Sequence, residues 1–151
     1  MRKHISTAIA CIMLLSLVGT CWLHGAEPLA VDDYRIVVNA SVQESQIDRS
    51  AIRRVLLGKK KNWEDGRAIQ LIFYRTHPLQ RKMIHDLTAK STQSFSIYWK
   101  KMIFSGKGTA PRKVRGEAEM LNLIMNTKGA VGFISKTTQL KPDIKELRVQ
   151  E

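Results

Sequence analysis

Cysteine is scarce in this sequence, because its two cysteines, Cys11 and Cys21, both lie within the first 26 residues. Residues 27–151 therefore have no thiol that forms a disulfide, binds a metal or acts as a nucleophile. Histidine is scarce too, since only His77 and His85 follow residue 26. The metalloprotease, serine-hydrolase and P-loop patterns HExxH, GxSxG and GxxxxGK[ST] are all missing. We therefore predict a non-catalytic protein with no metal and no cofactor.

The first 26 residues are predicted to be a secretory signal peptide. A basic start precedes an apolar run from Ile5 to Leu23, and the small residue Ala26 stands before the first acidic residue. A retained membrane anchor is the alternative, because roughly 20 apolar residues span a bilayer as a helix. Lipid attachment at Cys21 is less favoured, because the preceding residues match a lipobox poorly. We expect an exported, periplasmic protein with one mature domain, 27–151.

Acidic residues are few compared with basic ones. The chain has 25 Lys and Arg against 13 Asp and Glu, a formal net charge of +12 and a pI near 10.1. Outside the cytoplasm, such a charge favours phosphate-like solutes, lipid headgroups or lipopolysaccharide as partners. Aromatic residues among basic ones are also found where bases stack. Here their helical spacing is typical of a core, and export argues against DNA, so we expect no nucleic-acid partner.

The hydrophobic pattern alternates between strand and helix along residues 27–151. The predicted strands are Tyr34–Asn39, Ile69–Tyr74, Ala130–Ser135 and a last edge strand, Leu147–Val149. The predicted helices run from an N-cap at Asp48 to a stop at Gly58, from Pro78, from near Ser94, and over Glu117–Asn126. Their inward residues are predicted to be Ile52, Val55, Leu56, Leu79, Met83, Leu87, Phe95, Tyr98, Trp99, Met102, Ile103, Leu121, Ile124 and Met125. We expect an α/β fold with a mixed sheet flanked by helices.

Several motifs resemble, in order, those of the phosphate-binding proteins that serve ABC transporters, a type II periplasmic-binding-like family. Ile47–Lys59 followed by Trp63-x-Asp-Gly66 is similar to that family's helix, glycine-lysine stop and turn. Downstream, the resemblance rests on Trp99, Phe104, Gly106, Lys107, Gly108, Pro111, Val114 and Lys128–Ile134 (KGAVGFI). It covers about 36–135 and implies a short, single-lobe form of a two-lobed binding protein.

The resemblance also implies a site for phosphate or a related small anion, as part of or derived from ABC phosphate uptake. Relatives carry an arginine and a turn of small residues at a helix N-terminus, where backbone N–H groups receive the anion. Here Arg75 is similar to the family arginine, with Thr76 as a hydroxyl donor and Arg81 as a second charge. Leu79, Gln80 and Arg81 depart from the family pattern, because they stand where the small residues are expected.

A docking module is the other hypothesis: the lobe keeps its fold but binds an envelope transporter, a sensor or an anionic polymer. Its basic surface is predicted to comprise Lys59, Lys60, Lys61, Lys107, Arg112 and Lys113. Such charge speeds the encounter with an acidic partner and makes binding depend on salt. Full-length relatives close two lobes around the anion, so a second chain would supply the other half. A homodimer is one such arrangement, although no pattern in the sequence calls for it.

Overall fold

The computed structural model of the protein describes residues 34–150, and the predicted signal peptide lies outside them. The elements within these residues are β1 (Tyr34–Asn39), β2 (Gln46–Asp48), α1 (Arg49–Leu56), β3 (Gln70–Tyr74), α2 (Pro78–Thr88), α3 (Thr92–Phe104), β4 (Arg112–Val114), α4 (Glu117–Met125), β5 (Ala130–Ser135), β6 (Ile144–Glu146) and β7 (Arg148–Gln150). No helix in 34–150 has the length and apolar character to cross a membrane.

Five strands form one mixed sheet in the order β4-β3-β5-β1-β6. Strand β3 runs parallel to both β4 and β5, whereas β1 runs antiparallel to β5 and β6. Strands β2 and β7 form a separate parallel pair. The expected mixed sheet flanked by helices is confirmed. Because β3, β4 and β5 are parallel, their carboxyl ends share one edge of the sheet, where α2 and α4 begin.

Helix α4 packs closely on β5, and Gly132 makes this approach possible. A Cβ atom at Gly132 would lie 2.5 Å from Met120 Sδ and 2.9 Å from Ile124 Cδ1, and both side chains are fully buried. The prediction that a glycine in this strand marks close packing is confirmed. Met120 belongs to the core, although its side chain was not among those predicted to face inward.

Helix α1 ends at Leu56, with Leu57 as its C-cap, and two aromatic residues of α3 bond to that end. Gly58 takes a left-handed φ of +65°, which glycine adopts without strain. The Trp99 indole N–H donates to the carbonyl oxygen of Leu56 at 3.2 Å, and the Tyr98 hydroxyl donates to that of Leu57 at 2.8 Å. These bonds satisfy carbonyl groups that have no partner inside α1. The expected glycine stop is confirmed. The two hydrogen bonds also hold α3 against the end of α1.

Helix α3 ends before Gly106, as predicted, but its start lies two residues before the predicted one. It begins at Thr92, because the Ser91 Oγ caps it by accepting the Ser94 N–H at 3.1 Å. Phe95 and Trp99 are buried as expected, whereas Tyr98 and Met102 are only partly buried. The prediction that Ile103 is a core residue is wrong, since its side chain is 41% exposed at the last turn.

Three short strands were not predicted: β2, β4 and β6, each of three residues. Runs this short contain too few alternations to show a period of two. The last predicted strand corresponds to β7, but β7 pairs with β2 and does not form an edge of the main sheet. The actual edges of that sheet are β4 and β6.

Candidate anion-binding site

The carboxyl ends of β3 and β4 lie side by side, and Arg75 stands at this point. The backbone N–H of Arg75 donates a hydrogen bond of 2.7 Å to the carbonyl oxygen of Val114, the last residue of β4. Arg75, Lys100 of α3 and Lys113 of β4 all line one cavity of about 320 Å³. We call this space the Arg75 cavity. It brings together cationic residues from three separate parts of the chain.

Aromatic and aliphatic core residues form the wall of the Arg75 cavity. Phe73, Ile84, Phe95 and Trp99 line it, and each is at most 7% exposed. Phe95 packs edge-on against Phe73, with 5.5 Å between the ring centroids. Trp99 is held by its hydrogen bond to α1. The cavity therefore has a rigid apolar wall beside its three cationic residues.

Gln80 is the polar exception in this wall. Its side chain is buried, at 7% exposed, and its Oε1 has no hydrogen-bond partner among the described residues. A buried carbonyl oxygen without a donor costs about 1–3 kcal/mol, and such groups are few in folded proteins. Gln80 thus places an unpartnered acceptor in the wall of the cavity, and a bound molecule reaches it only if the amide turns toward the cavity.

Carboxylates are missing from the surroundings of these cations. Within 34–150, no carboxylate oxygen lies within 4.0 Å of the side-chain nitrogens of Arg75, Lys100 or Lys113. The stretch 87–116 contains no Asp or Glu at all. On the α4 side of β4, Glu119 lines a neighbouring groove with Lys113, but its Oε2 accepts the Arg115 backbone N–H at 2.8 Å. The charge facing the cavity is therefore positive.

The start of α2 differs from the anion-receiving turn that the resemblance implies. Pro78 has no N–H, and the Leu79 N–H donates to Nδ1 of the N-cap residue His77 at 3.3 Å. The next N–H, that of Gln80, donates to the His77 carbonyl oxygen at 3.1 Å. These backbone donors already have partners within the chain, so binding an anion here depends on side chains.

The structure brings only one of the three predicted ligand residues to the cavity. Arg75 lines it, whereas Thr76 and Arg81 are exposed and do not. Lys100 and Gln80 are the members that sequence reasoning missed. Gln80 had a detectable signal, because it lies on the same apolar helix stripe as Ile84 and Leu87. Lys100 had none, since only the tertiary packing of α3 over β3, through Phe95 and Phe73, places it there.

Tyr74 anchors the residue next to Arg75. Its hydroxyl donates to the carbonyl oxygen of Phe133 at 3.1 Å, and its ring stacks on His77 with 4.4 Å between centroids. Burial raises the pKa of Tyr74 above its usual value, and the carboxylate of Glu117 raises it further. The phenol therefore stays protonated and keeps its hydrogen bond at neutral pH.

An internal carboxylate occupies the other half of the same sheet edge. Glu117, the first residue of α4, accepts the backbone N–H of Ser135 at 2.7 Å and a hydrogen bond from the Thr138 hydroxyl. The donors at the end of β5 are thus already engaged with an anion that belongs to the chain. Among the described residues of this edge, the cations without a carboxylate partner lie on the β3 and β4 side instead.

The predicted basic surface divides around β4. Lys60, Lys61 and Arg112 line a second cavity of about 380 Å³, which we call the Arg112 cavity, whereas Lys113 faces the Arg75 cavity. Trp99 lines both spaces. Lys59 and Lys107 are exposed and line neither. Lys60 is paired with Glu64, and this hydrogen bond lowers the pKa of the Glu64 carboxyl.

Comparison with known proteins gives a likeness in structure only. No family model matches the chain, and no curated protein matches it. Among solved structures, an ABC-type phosphate transport receptor from Vibrio cholerae matches with a TM-score of 0.59 at 17% identity, covering 78% of this chain and 46% of its own. The fold of this chain is therefore similar to that of part of this receptor.

Two further structures agree with this. One, from Clostridium perfringens, is assigned as a phosphate ABC transporter substrate-binding protein and contains bound phosphate; it matches with a TM-score of 0.59 at 12% identity, covering 78% of this chain and 44% of its own. The other, named as a possible phosphate binding protein from Planctomyces limnophilus, has a TM-score of 0.54 at 11% identity, with 79% and 42% covered. This chain spans less than half the length of the structures it matches.

Proposed function

We propose that this protein is an exported, non-catalytic solute-binding protein whose Arg75 cavity binds phosphate or a related small oxyanion. The observation that carries the proposal is the convergence of Arg75, Lys100 and Lys113, without a paired carboxylate, beside the carboxyl ends of two parallel strands. Ligands of open α/β sheets bind at that edge. The phosphate-binding proteins that share the fold support the choice of anion.

The chemistry of the three cations fits a tetrahedral oxyanion. A guanidinium group donates two parallel hydrogen bonds to such an anion, and the two ammonium groups add charge without a fixed direction. The cavity is open, however, so water and salt screen the interaction. We therefore expect a dissociation constant on the order of a millimolar for inorganic phosphate.

A calorimetric phosphate titration of the purified protein tests this function, with two variants that each remove one guanidinium group. Arg75→Ala is expected to abolish saturable heat, whereas Arg81→Ala is the matched control, because Arg81 is exposed outside the cavity. If the wild-type protein gives no heat of binding with millimolar phosphate or sulfate, the proposal is refuted. An equal loss in both variants contradicts the assignment of the site to this cavity.

Export and a role in uptake belong to the same proposal. The expected signal peptide, 1–26, is tested by the mass of the protein recovered from the cell envelope. A mass that matches a chain starting near Glu27 supports export with cleavage, and an uncleaved chain in the cytoplasm refutes it. The mass of the protein in solution tests the homodimer that would rebuild a two-sided cleft.

A docking module remains the second candidate, and a specific surface favours it. The exposed part of α3 and its following turn combine Phe104, which is 89% exposed, and Ile97, which is 58% exposed, with the cations Lys101 and Lys107. Exposed apolar side chains among cations are typical of interaction surfaces. Envelope extract passed over the immobilised protein at low salt tests this role. Recovery of no partner, or of one that Phe104→Ala and Lys107→Ala leave unaffected, counts against it.

A further inference from the structure

The Arg75 cavity is larger and more apolar than a bare phosphate ion requires. Its volume is about 320 Å³, and a cavity of roughly 150 Å³ already holds benzene. Small-molecule sites start near 300 Å³ and combine apolar walls with a few polar groups. A phosphate ion held by the cations would leave the wall of Phe73, Phe95 and Trp99 covered by water.

The polar groups of the cavity fall into two kinds. Arg75, Lys100 and Lys113 are cationic donors, and they select an oxyanion. Gln80 is buried and contributes an acceptor without a partner, so it selects a hydrogen-bond donor. Water does not satisfy that acceptor in this conformation, because the oxygen is closed to a molecule of the size of water. A ligand that carries both an oxyanion and an N–H or O–H group satisfies both kinds.

We propose that the Arg75 cavity binds an organic phosphonate or phosphate monoester with a ring-sized apolar body and a hydrogen-bond donor, in preference to inorganic phosphate. This inference rests on the proposed function, because it assigns the ligand class of the same site. The oxyanion lies against Arg75, Lys100 and Lys113. The apolar body covers Phe95 and Trp99. The donor hydrogen-bonds to Gln80 Oε1 after the amide turns toward the cavity.

The experiment compares three probes by calorimetry on the purified full-length protein: inorganic phosphate, phenylphosphonate and 4-hydroxyphenylphosphonate. We expect phenylphosphonate to bind at least tenfold more tightly than phosphate, and the hydroxyl group to add a further several-fold. Trp99 fluorescence is expected to change with both phosphonates, because the indole lines the cavity. Trp99→Phe, in which the other tryptophans remain, is expected to remove this change.

Two variants with a matched change of charge or polarity complete the test. Lys100→Gln, at an exposed lysine on α3, is expected to weaken the binding of all three probes. Gln80→Leu keeps the volume of the side chain and removes the buried acceptor, so it is expected to fold. It should abolish the advantage of the 4-hydroxy compound over phenylphosphonate, whatever its effect on phenylphosphonate itself.

The outcomes separate this inference from the proposed function. If phosphate binds and phenylphosphonate binds no more tightly than phosphate, the inference is overturned and the proposed function stands. Absence of binding by all three probes overturns both. If the 4-hydroxy compound keeps its advantage in Gln80→Leu, the assignment of the donor to Gln80 is wrong.

Discussion

The contact between Gly58 and Trp99 allows a stability prediction with an internal control. Gly58 and Gly106 each stand one residue beyond a helix C-cap, after α1 and α3 respectively, and their φ values are +65° and +67°. A Cβ atom at Gly58 would lie 2.8 Å from Trp99 Cη2, whereas a Cβ at Gly106 would meet nothing within 4 Å. The two glycines therefore share backbone strain and differ in steric contact.

The magnitudes follow from those two terms. An alanine in the left-handed region costs roughly 1–2 kcal/mol, and this applies to both sites. Overpacking against a buried side chain adds about 1–3 kcal/mol, and it applies only to Gly58→Ala. Trp99 has little room to move, because its indole N–H is bonded to α1 and its ring is 7% exposed. We expect Gly58→Ala to lose roughly 2–5 kcal/mol of unfolding free energy and Gly106→Ala only the smaller part.

Urea unfolding, followed by circular dichroism, measures both values. With a slope of about 1–3 kcal/mol per molar urea for a domain of this size, the midpoints of the two variants should differ by roughly 1 M. Because Trp99 lines both cavities, Gly58→Ala should also weaken anion binding, and Gly106→Ala tests whether strain alone does so. Equal losses in the two variants would refute the steric argument and the placement of Trp99 against α1.

Three further changes have defined outcomes. Asn39→Leu should cost about 2–3 kcal/mol in urea unfolding, because the buried Nδ2 donates to two carbonyl oxygens at the end of α4, at 2.8 and 2.9 Å; a loss under 1 kcal/mol contradicts this. Because the pKa of Tyr74 is raised, the folded state keeps the phenol proton to a higher pH than the unfolded state does. Its contribution to the free energy of unfolding is therefore complete below about pH 10 and falls as the pH rises further. In Tyr74→Phe that part of the decline should vanish from the pH profile of stability. Glu117→Gln removes a negative charge from the same sheet edge, so phosphate affinity should rise a few-fold at low salt and return to the wild-type value at high salt; an unchanged low-salt affinity refutes that reasoning.

The sequence predicts the long elements of this fold well because their signals are local. Strand β1 and strand β5 have the predicted bounds, since each contains an apolar run, Ile36–Val38 in β1 and 130–134 in β5. Helix α2 begins at Pro78, where the fixed φ of proline suits the first turn. The elements that were missed, such as β4, depend on neighbours distant in the chain, since β4 exists because it pairs with β3.

The site was less predictable, and the reason is physical. Arg75 was found through the family resemblance, which matches it to an arginine that precedes a turn at a helix N-terminus. Lys100 reaches the same cavity only because α3 packs over β3 through Phe95 and Phe73. Nothing in the spacing between Arg75 and Lys100 indicates that they share a cavity. The exposure of Ile103 has the same origin, because helical spacing defines a stripe but does not say where the neighbouring element ends.

The arrangement of charge at the sheet edge favours the β3 and β4 side for the proposed anion. Glu117 already supplies the negative charge that the Ser135 backbone N–H and the Thr138 hydroxyl require, and its effect on the pKa of Tyr74 shows that its field extends to the residue beside Arg75. A second anion near β5 would therefore meet repulsion and engaged donors. Beside β3 and β4, three cationic residues face a space without a carboxylate partner, so an anion bound there lowers the repulsion among them.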